Sequence, residues 1–157
     1  MTAFRLVGLA ADTFQPFFAM DDQALAATSV RRVVADSSPG YPCRVTLEDA
    51  QVGETLLLLS YEHLSEMSPY RAGGPIFVRE GARRAELAPG DLPPYITRRL
   101  MSVRAYDARH MMVDAEVCAG EGVREPIERL LGNEAVAYLH LHNAKRGCFF
   151  ARVERVG

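Results

Sequence analysis

The second half of the chain has the clearest alternation of apolar and polar positions. Residues 101–106 and 111–117 alternate with a period of two, which is typical of strands with one buried face. Residues 107–110, between these two segments, have the composition of a tight turn. The pattern therefore predicts a β-hairpin over this part of the chain.

A helix and a second hairpin are predicted next. Apolar positions recur at helical spacing over residues 124–131, and Gly132 follows as a helix end. Residues 136–142 and 148–156 are strand-like on either side of a polar turn at 143–147. The second half is therefore predicted to run strand, strand, helix, strand, strand.

The first half alternates less regularly. Residues 56–60 are apolar toward both faces, which predicts an inner strand covered on both sides. The other predicted segments are strands at 4–9, 30–35, 43–45 and 75–78, short helices at 12–18 and 23–27, and irregular stretches at 62–74 and 81–94. Together the halves predict a single α+β domain over residues 1–157, dominated by antiparallel sheet and with short N-terminal helices.

The strand at Tyr138-Leu139-His140-Leu141-His142-Asn143 places Tyr138, His140 and His142 on one face and the leucines on the other. If the strands of the second half pair in one sheet, more polar side chains share that face: Ser102, Arg104, Tyr106, Asp114, Glu116, Arg152 and Glu154. Such a face is either solvated and crossed by ion pairs, or covered by the first half to form a polar pocket.

Composition narrows the classes of function. The chain has 157 residues and a net charge of −2, so it lacks the basic excess of a nucleic-acid-binding protein. The longest apolar run, residues 56–59, is too short to span a membrane, and no secretion signal is evident. Three widely spaced cysteines without a CxxC pair predict reduced thiols. We expect a cytoplasmic protein with neither a nucleic-acid nor a membrane partner.

A divalent metal is the first candidate ligand. His140 and His142 have the spacing of a strand-borne ligand pair, and Glu62, His63, Asp114 or Glu116 are candidates to complete the site. A lone His-x-His pair is a weak motif, so histidines that bind no metal are the alternative interpretation.

A small anion is the second candidate. Arg71 stands beside Gly73 and Gly74, where backbone amides and a guanidinium can surround an anionic group, although two glycines before a proline also shape turns. Arg104 lies on the polar face. Tyr61, Tyr106 and Asn143 are further candidates for orienting such a ligand.

Catalytic candidates follow from the same segments. Glu62 or His63 is placed to act as a general base at the end of the inner strand, and His140 and His142 to carry protons. Cys43, after a rigid Gly-Tyr-Pro turn, is a candidate thiolate nucleophile, against the commoner alternative of a small buried cysteine.

Four segments in this order resemble those of an uncharacterised bacterial family, number 1203 of the domains of unknown function. They are Pro39-Gly40-Tyr41-Pro42-Cys43-Arg44, Ser68-Pro69-Tyr70-Arg71-Ala72-Gly73-Gly74-Pro75-Ile76-Phe77, Arg104-Ala105-Tyr106-Asp107 and His140-Leu141-His142-Asn143-Ala144. The resemblance implies a stand-alone single-domain bacterial protein and no particular activity.

Two hypotheses of function follow. The first is a small-molecule-binding protein or small enzyme whose pocket, lined by arginine, histidine and tyrosine, holds an anionic ligand. The second is a non-catalytic metal-binding or interaction module that uses the His140/His142 strand. Such a module could form a homodimer through a free sheet edge.

Overall fold

The computed structural model of the chain describes residues 2–157. Its ten strands are β1 (Phe4–Val7), β2 (Arg31–Val34), β3 (Pro42–Cys43), β4 (Glu48–Asp49), β5 (Thr55–Leu64), β6 (Ala72–Arg79), β7 (Leu100–Tyr106), β8 (Met112–Ala119), β9 (Tyr138–Asn143) and β10 (Phe149–Arg155). Its four α-helices are α1 (Gln15–Phe18), α2 (Asp22–Ala27), α3 (Pro94–Thr97) and α4 (Arg124–Leu131).

The strands form two five-stranded sheets, which we call the C-terminal and the N-terminal sheet. The C-terminal sheet has the order β1-β10-β9-β7-β8 and is antiparallel throughout. The N-terminal sheet has the order β2-β5-β6-β3-β4, with one parallel pair, β3 with β6. The predicted α+β class with mainly antiparallel strands is confirmed.

Each sheet packs one apolar face against different helices, and each therefore has its own hydrophobic core. In the C-terminal core, Ile127 and Leu130 of α4 pack among buried residues that include Val103, Leu139 and Leu141. In the N-terminal core, helix α2 contributes buried Leu25 against strand residues such as Leu57 and Leu59. Burying these apolar surfaces is the main driving force for folding in both layers.

Several predicted elements are confirmed. Helix α4 has the predicted bounds, both C-terminal hairpins form, and Asp21 caps α2 by accepting a hydrogen bond from the Ala24 amide at 2.8 Å. The helix predicted at 12–18 is divided into a short 3-10 turn, Ala11–Thr13, which contains Asp12, and the α-helix α1. Strand β4 and helix α3 were not predicted, since elements of two and four residues leave little periodicity to detect.

The region predicted as one long loop is mostly strand. Strand β5 runs on to Leu64 and β6 begins at Ala72, so only residues 65–71 connect them. Gly73 and Gly74 lie within β6 and do not form a turn before it. Glycine and alanine are depleted in strands, which is why Ala72-Gly73-Gly74 indicated a loop that sheet pairing overrides.

The far end of β5 covers part of the C-terminal sheet on the face away from α4. There Leu64 is buried with Tyr106 of β7 and Tyr138 of β9. The His63 ring stacks on Phe149 of β10, with centroids 5.3 Å apart and planes 6° from parallel. The polar face is therefore covered at its centre by the first half of the chain.

Asp114 and Glu116 are not on that face, contrary to the prediction. Asp114 is paired with Ala105 and Glu116 with Val103, and both of these β7 residues point into the helix-side core. Because directly paired residues share a face, both carboxylates lie on the α4 side, where Glu116 forms an ion pair with Arg129. Strand β8 is an edge strand, so charged side chains remain hydrated there even on the core side.

Among residues 2–157, no helix is long and apolar enough to cross a membrane.

Candidate metal centre

His140 and His142 project from β9 onto the covered face, as predicted from strand alternation. His140 is paired with Arg104 of β7 on one side and Arg152 of β10 on the other, and His142 is paired with Ser102. Only 3% of His140 and 1% of His142 is exposed. The interpretation of these two histidines as a solvated sheet face is therefore wrong.

A third histidine reaches the same point from the other sheet. Tyr61 is paired with Gly74 and Leu64 with Ala72, so β5 has one extra residue here, a β-bulge that contains Glu62 and His63. The bulge places the half-buried His63 against His140 and His142 of β9. One ring nitrogen from each of His63, His140 and His142 lies within 4.8 Å of the others. We call these three residues the histidine cluster.

Gly73 allows β6 to pass close to this bulge. A Cβ added at Gly73 would lie 2.9 Å from the Tyr61 carbonyl oxygen and 3.0 Å from the Glu62 Cα, closer than real Cβ atoms pack. A glycine is therefore needed here to let the two backbones approach. The neighbouring Gly74 has open space around the same position.

The hydrogen bonds of the buried imidazoles leave nitrogens without a partner. Nδ1 of His142 lies 2.9 Å from the Gly147 carbonyl oxygen, and because a carbonyl only accepts, Nδ1 carries the hydrogen. Nε2 of His142 then has a free lone pair, and it is buried without a partner, as is Nδ1 of His140. An unpartnered buried polar atom is destabilising, and a metal ion is one partner that would satisfy these nitrogens.

Burial keeps the imidazoles neutral. It lowers the pKa of His140 to about 2 and that of His142 to about 3, with the neighbouring histidines and Arg104 adding to the effect. Burial also lowers the pKa of His63, and the charge of Arg104 acts in the same direction. Since metals bind the deprotonated imidazole, the cluster is in its metal-binding form at neutral pH.

The spacing fits a transition-metal ion after small side-chain movements. Metal–nitrogen bonds of about 2.0–2.1 Å bring tetrahedral ligand atoms to about 3.3 Å from one another. The nitrogens now lie within 4.8 Å, so rotations of the rings would close the set. Three imidazoles alone leave at least one coordination position free for a water or a substrate.

The charged groups nearest the cluster are guanidinium groups. Arg104 is half-buried, donates from Nε to the Ser102 hydroxyl at 3.1 Å, and lies close enough to all three histidines to lower the pKa of each. Arg44 is 2% exposed and donates to the carbonyls of Phe149 and Pro42 at 2.7 and 2.6 Å. Among the ion pairs of residues 2–157, neither arginine has a carboxylate partner.

Aromatic rings form the walls of the site. Phe149 contacts all three histidines, and Tyr106 and Tyr138 stack on each other with centroids 5.3 Å apart beside His140. The Tyr138 hydroxyl is 2.7 Å from Nδ1 of His110, which has a left-handed backbone (φ +63°) in the β7–β8 turn. The fourth histidine of the chain is therefore held outside the cluster.

Other predicted site residues lie elsewhere. Glu62 is exposed, in contrast to the half-buried His63 beside it, and it pairs with Arg71 at 2.6 Å. Glu62 and Arg71 border a shallow surface groove with Ser60, Ala72 and Gly73, and the groove contains no histidine. Arg71 therefore already has a carboxylate partner and borders a groove that does not include Arg104, so an anion held by both arginines stays a prediction.

Three further candidate residues have contacts that are typical of packing or of turn formation. Tyr61 packs between Phe14 and Phe149, with centroids 5.8 and 6.5 Å away. The Asn143 side chain accepts a hydrogen bond from the Lys145 amide at 3.0 Å and so closes the β9–β10 turn. Cys43 is fully buried in the N-terminal core, where its Sγ accepts a hydrogen bond from the Arg79 amide at 3.3 Å. This environment favours the alternative of a small buried cysteine, and a nucleophilic role for Cys43 stays a prediction.

Sequence reasoning missed Arg44, Phe149 and Gly147. A charged residue between the buried Cys43 and Val45 is a usable signal for Arg44, because a buried arginine must donate its hydrogens to some acceptor. The roles of Phe149 and Gly147 depend on contacts across the β9–β10 hairpin, which local pattern does not contain.

Comparison with known proteins identifies the family of the chain but no activity. The family model described as Protein of unknown function (DUF1203) matches residues 40–155. No curated protein and no solved structure matches the chain. The matched region contains all three residues of the histidine cluster, together with Arg44 and Arg104.

Proposed function

The chain belongs to the DUF1203 family, and on that premise we propose that it binds one divalent transition-metal ion through His63, His140 and His142. One observation carries the proposal. Three imidazoles from two different sheets converge to within 4.8 Å, and two of them are buried with unpartnered nitrogens. A purely structural histidine normally has its ring nitrogens satisfied by protein groups or water.

The donor set favours particular metals. Neutral imidazole nitrogen suits Zn²⁺, Co²⁺, Ni²⁺, Cu²⁺ and Fe²⁺, whereas Mg²⁺ and Ca²⁺ prefer oxygen ligands. The Gly147 carbonyl gives His142 the outer-shell partner that metal-binding histidines usually have, because it fixes the tautomer with Nε2 free.

The number of protein ligands favours a catalytic metal site over a purely structural one. Structural zinc sites are normally closed by four protein ligands, whereas catalytic sites keep one position open. His63 is half-buried while its partners are buried, so a small molecule would reach the ion from the His63 side. We therefore propose a metal-dependent small enzyme or small-molecule-binding protein. The three free thiols support a cytoplasmic location for it.

Metal content tests the proposal. The protein is purified without a histidine tag, stripped with a chelator, and titrated with Zn²⁺ and Co²⁺ by calorimetry, with bound metal counted by mass spectrometry. We expect one ion per chain in the unmodified protein and at least a hundredfold weaker binding in His63→Ala. His63 is the best first target because it is the least buried of the three ligands.

The fourth histidine provides the matched control. His110→Asn removes an imidazole outside the cluster and keeps a residue type that tolerates the left-handed backbone. Unchanged metal affinity in this variant and weak binding in His63→Ala would support the site. Failure of the unmodified protein to bind either metal, or equal affinity in His63→Ala, would overturn it.

A further inference from the structure

The charged side chains that act on the histidine cluster are arginines, while the carboxylate of Glu66 acts on the neighbouring Tyr61 and Tyr138. A divalent ion held by three neutral imidazoles would keep its full charge of about +2, because imidazole contributes none. The only cluster of metal-ligating side chains within residues 2–157 contains no carboxylate. Arg104 adds a guanidinium on the same face and has no acidic partner, and buried Arg44 adds a second behind Phe149.

Arg104 is positioned toward the cluster by the sheet itself. It is directly opposite His140 in the β7–β9 register, where paired side chains have Cβ atoms about 5 Å apart. Its Nε is bound to Ser102, which is opposite His142 in the same register, so the guanidinium leans along the histidine pair. Ser102 thus acts as a positioning residue for Arg104.

Arg152, on the other side of His140, is differently engaged. Its Nε donates to Glu154 at 2.9 Å, and its guanidinium carbon lies 4.1 Å from the centre of the Tyr138 ring. The charge of Arg152 is therefore already partly compensated. Arg104 is the arginine on this face whose charge has no carboxylate partner within the described chain.

We propose, resting on the metal function above, that the open coordination position takes the carboxylate group of a small molecule, with one oxygen on the metal and the other on the guanidinium of Arg104. A guanidinium is planar and presents parallel N–H donors that match the two oxygens of a carboxylate. The rings of Phe149 and Tyr106 lie against His140, each with its centroid 5.1 Å from that of the imidazole, and so give this side of the site an aromatic border. The substrate class is therefore a small carboxylic acid.

Cobalt-loaded protein tests this inference with acetate as the probe. The visible absorption of Co²⁺ reports its ligands and their number, so a carboxylate that joins the metal changes the spectrum. We expect a saturable change on titration with acetate, and at least tenfold weaker acetate binding in Arg104→Gln with the cobalt stoichiometry unchanged. Ser102→Ala should weaken acetate binding in the same direction by a smaller factor.

A charge-matched control separates local binding from general electrostatics. Arg109→Gln removes one positive charge from the exposed β7–β8 turn and should leave acetate binding unchanged. Cobalt that binds but shows no spectral response to acetate would overturn the inference alone, as would equal acetate affinity in Arg104→Gln. Inorganic phosphate binding at least tenfold tighter than acetate would overturn the carboxylate class. Absence of cobalt binding would instead overturn the proposed function beneath it.

Discussion

The backbone carbonyl of Gly147 accepts a hydrogen bond from Nδ1 of His142 at 2.9 Å, so the β9–β10 turn sets the orientation of a candidate metal ligand. Gly147 has a left-handed backbone with φ +83°, a conformation that non-glycine residues adopt at a cost of about 1 kcal/mol. We predict that Gly147→Ala lowers the affinity for Zn²⁺ by about tenfold, because outer-shell partners of metal-binding histidines contribute about that much.

Gly53 is the control for this prediction. It has φ +91° in the turn before β5, and, as at Gly147, a Cβ there would meet no other atom. Gly53→Ala should lose similar stability in chemical denaturation and keep its full Zn²⁺ affinity in calorimetry. Equal Zn²⁺ affinity in the two variants would show that the turn does not orient His142.

Gly73 and Gly74 give a second matched pair. Gly73→Ala would push the Tyr61 carbonyl and the β-bulge away from β6, which moves His63 relative to the β9 histidines. We predict at least tenfold weaker Zn²⁺ binding in Gly73→Ala. Gly74→Ala has open space and should bind Zn²⁺ normally. If both variants bind alike, the placement of His63 does not depend on the close approach at Gly73.

Acid should destabilise the metal-free protein through the buried imidazoles. The pKa values of His140 and His142 are about 2 and 3 in the folded protein, against 6.5 as the ordinary value in the unfolded chain. The stability from keeping them neutral is fully present above pH 6.5 and is lost as the pH falls toward the folded values. Each histidine lowers the folding equilibrium constant about tenfold per pH unit well below 6.5.

Denaturation of the chelator-treated protein between pH 7 and pH 5 measures this dependence. We expect the slope of unfolding free energy against pH to be shallower in His140→Leu, by about one proton near pH 5, because one of the histidines with a lowered pKa is removed. A His140→Leu slope equal to that of the unmodified protein would contradict the prediction.

Cys43 should be a packing residue without chemical reactivity. Its thiol is fully buried, whereas Cys118 and Cys148 are half-buried. A thiol reagent should therefore leave Cys43 unmodified in the folded protein and reach it after denaturation, as mapped by peptide mass spectrometry. Cys43→Ala should lose about 1 kcal/mol of stability and keep its Zn²⁺ affinity. Rapid labelling of Cys43 in the folded state would support the nucleophile hypothesis.

The C-terminal sheet could be predicted because its strands and its helix each follow from a pattern within one short segment of the sequence. Alternation in β7 and β9 and the helical spacing in α4 all agree with the native pairing, so His140 and His142 were correctly placed on one face. The assignment of Asp114 to that same face failed because face membership across strands depends on register. A shift near Ala105 and Tyr106 and the exposed edge position of β8 are not encoded in its composition.

His63 could be named as a candidate but not placed. Its position in the cluster depends on a bulge in β5 and on a close approach at Gly73, both of which arise from pairing with β6. The same limit explains why Arg71 and Arg104 were joined in one predicted pocket. Arg71 has no acidic residue within four positions in the sequence, so local pattern does not show that tertiary packing pairs it with Glu62 at the surface.

The three histidines come from two different sheets, so an ion bound to all three would connect the sheets. An ion that joined His63 to His140 and His142 would act as a removable cross-link between the two sheets, beside the buried contact of Leu64 with Tyr106 and Tyr138. Cross-links that close long loops restrict the unfolded chain strongly, and this one would span residues 63–140. Binding of the ion would therefore stabilise the contact between the two layers, in addition to the local order of the site.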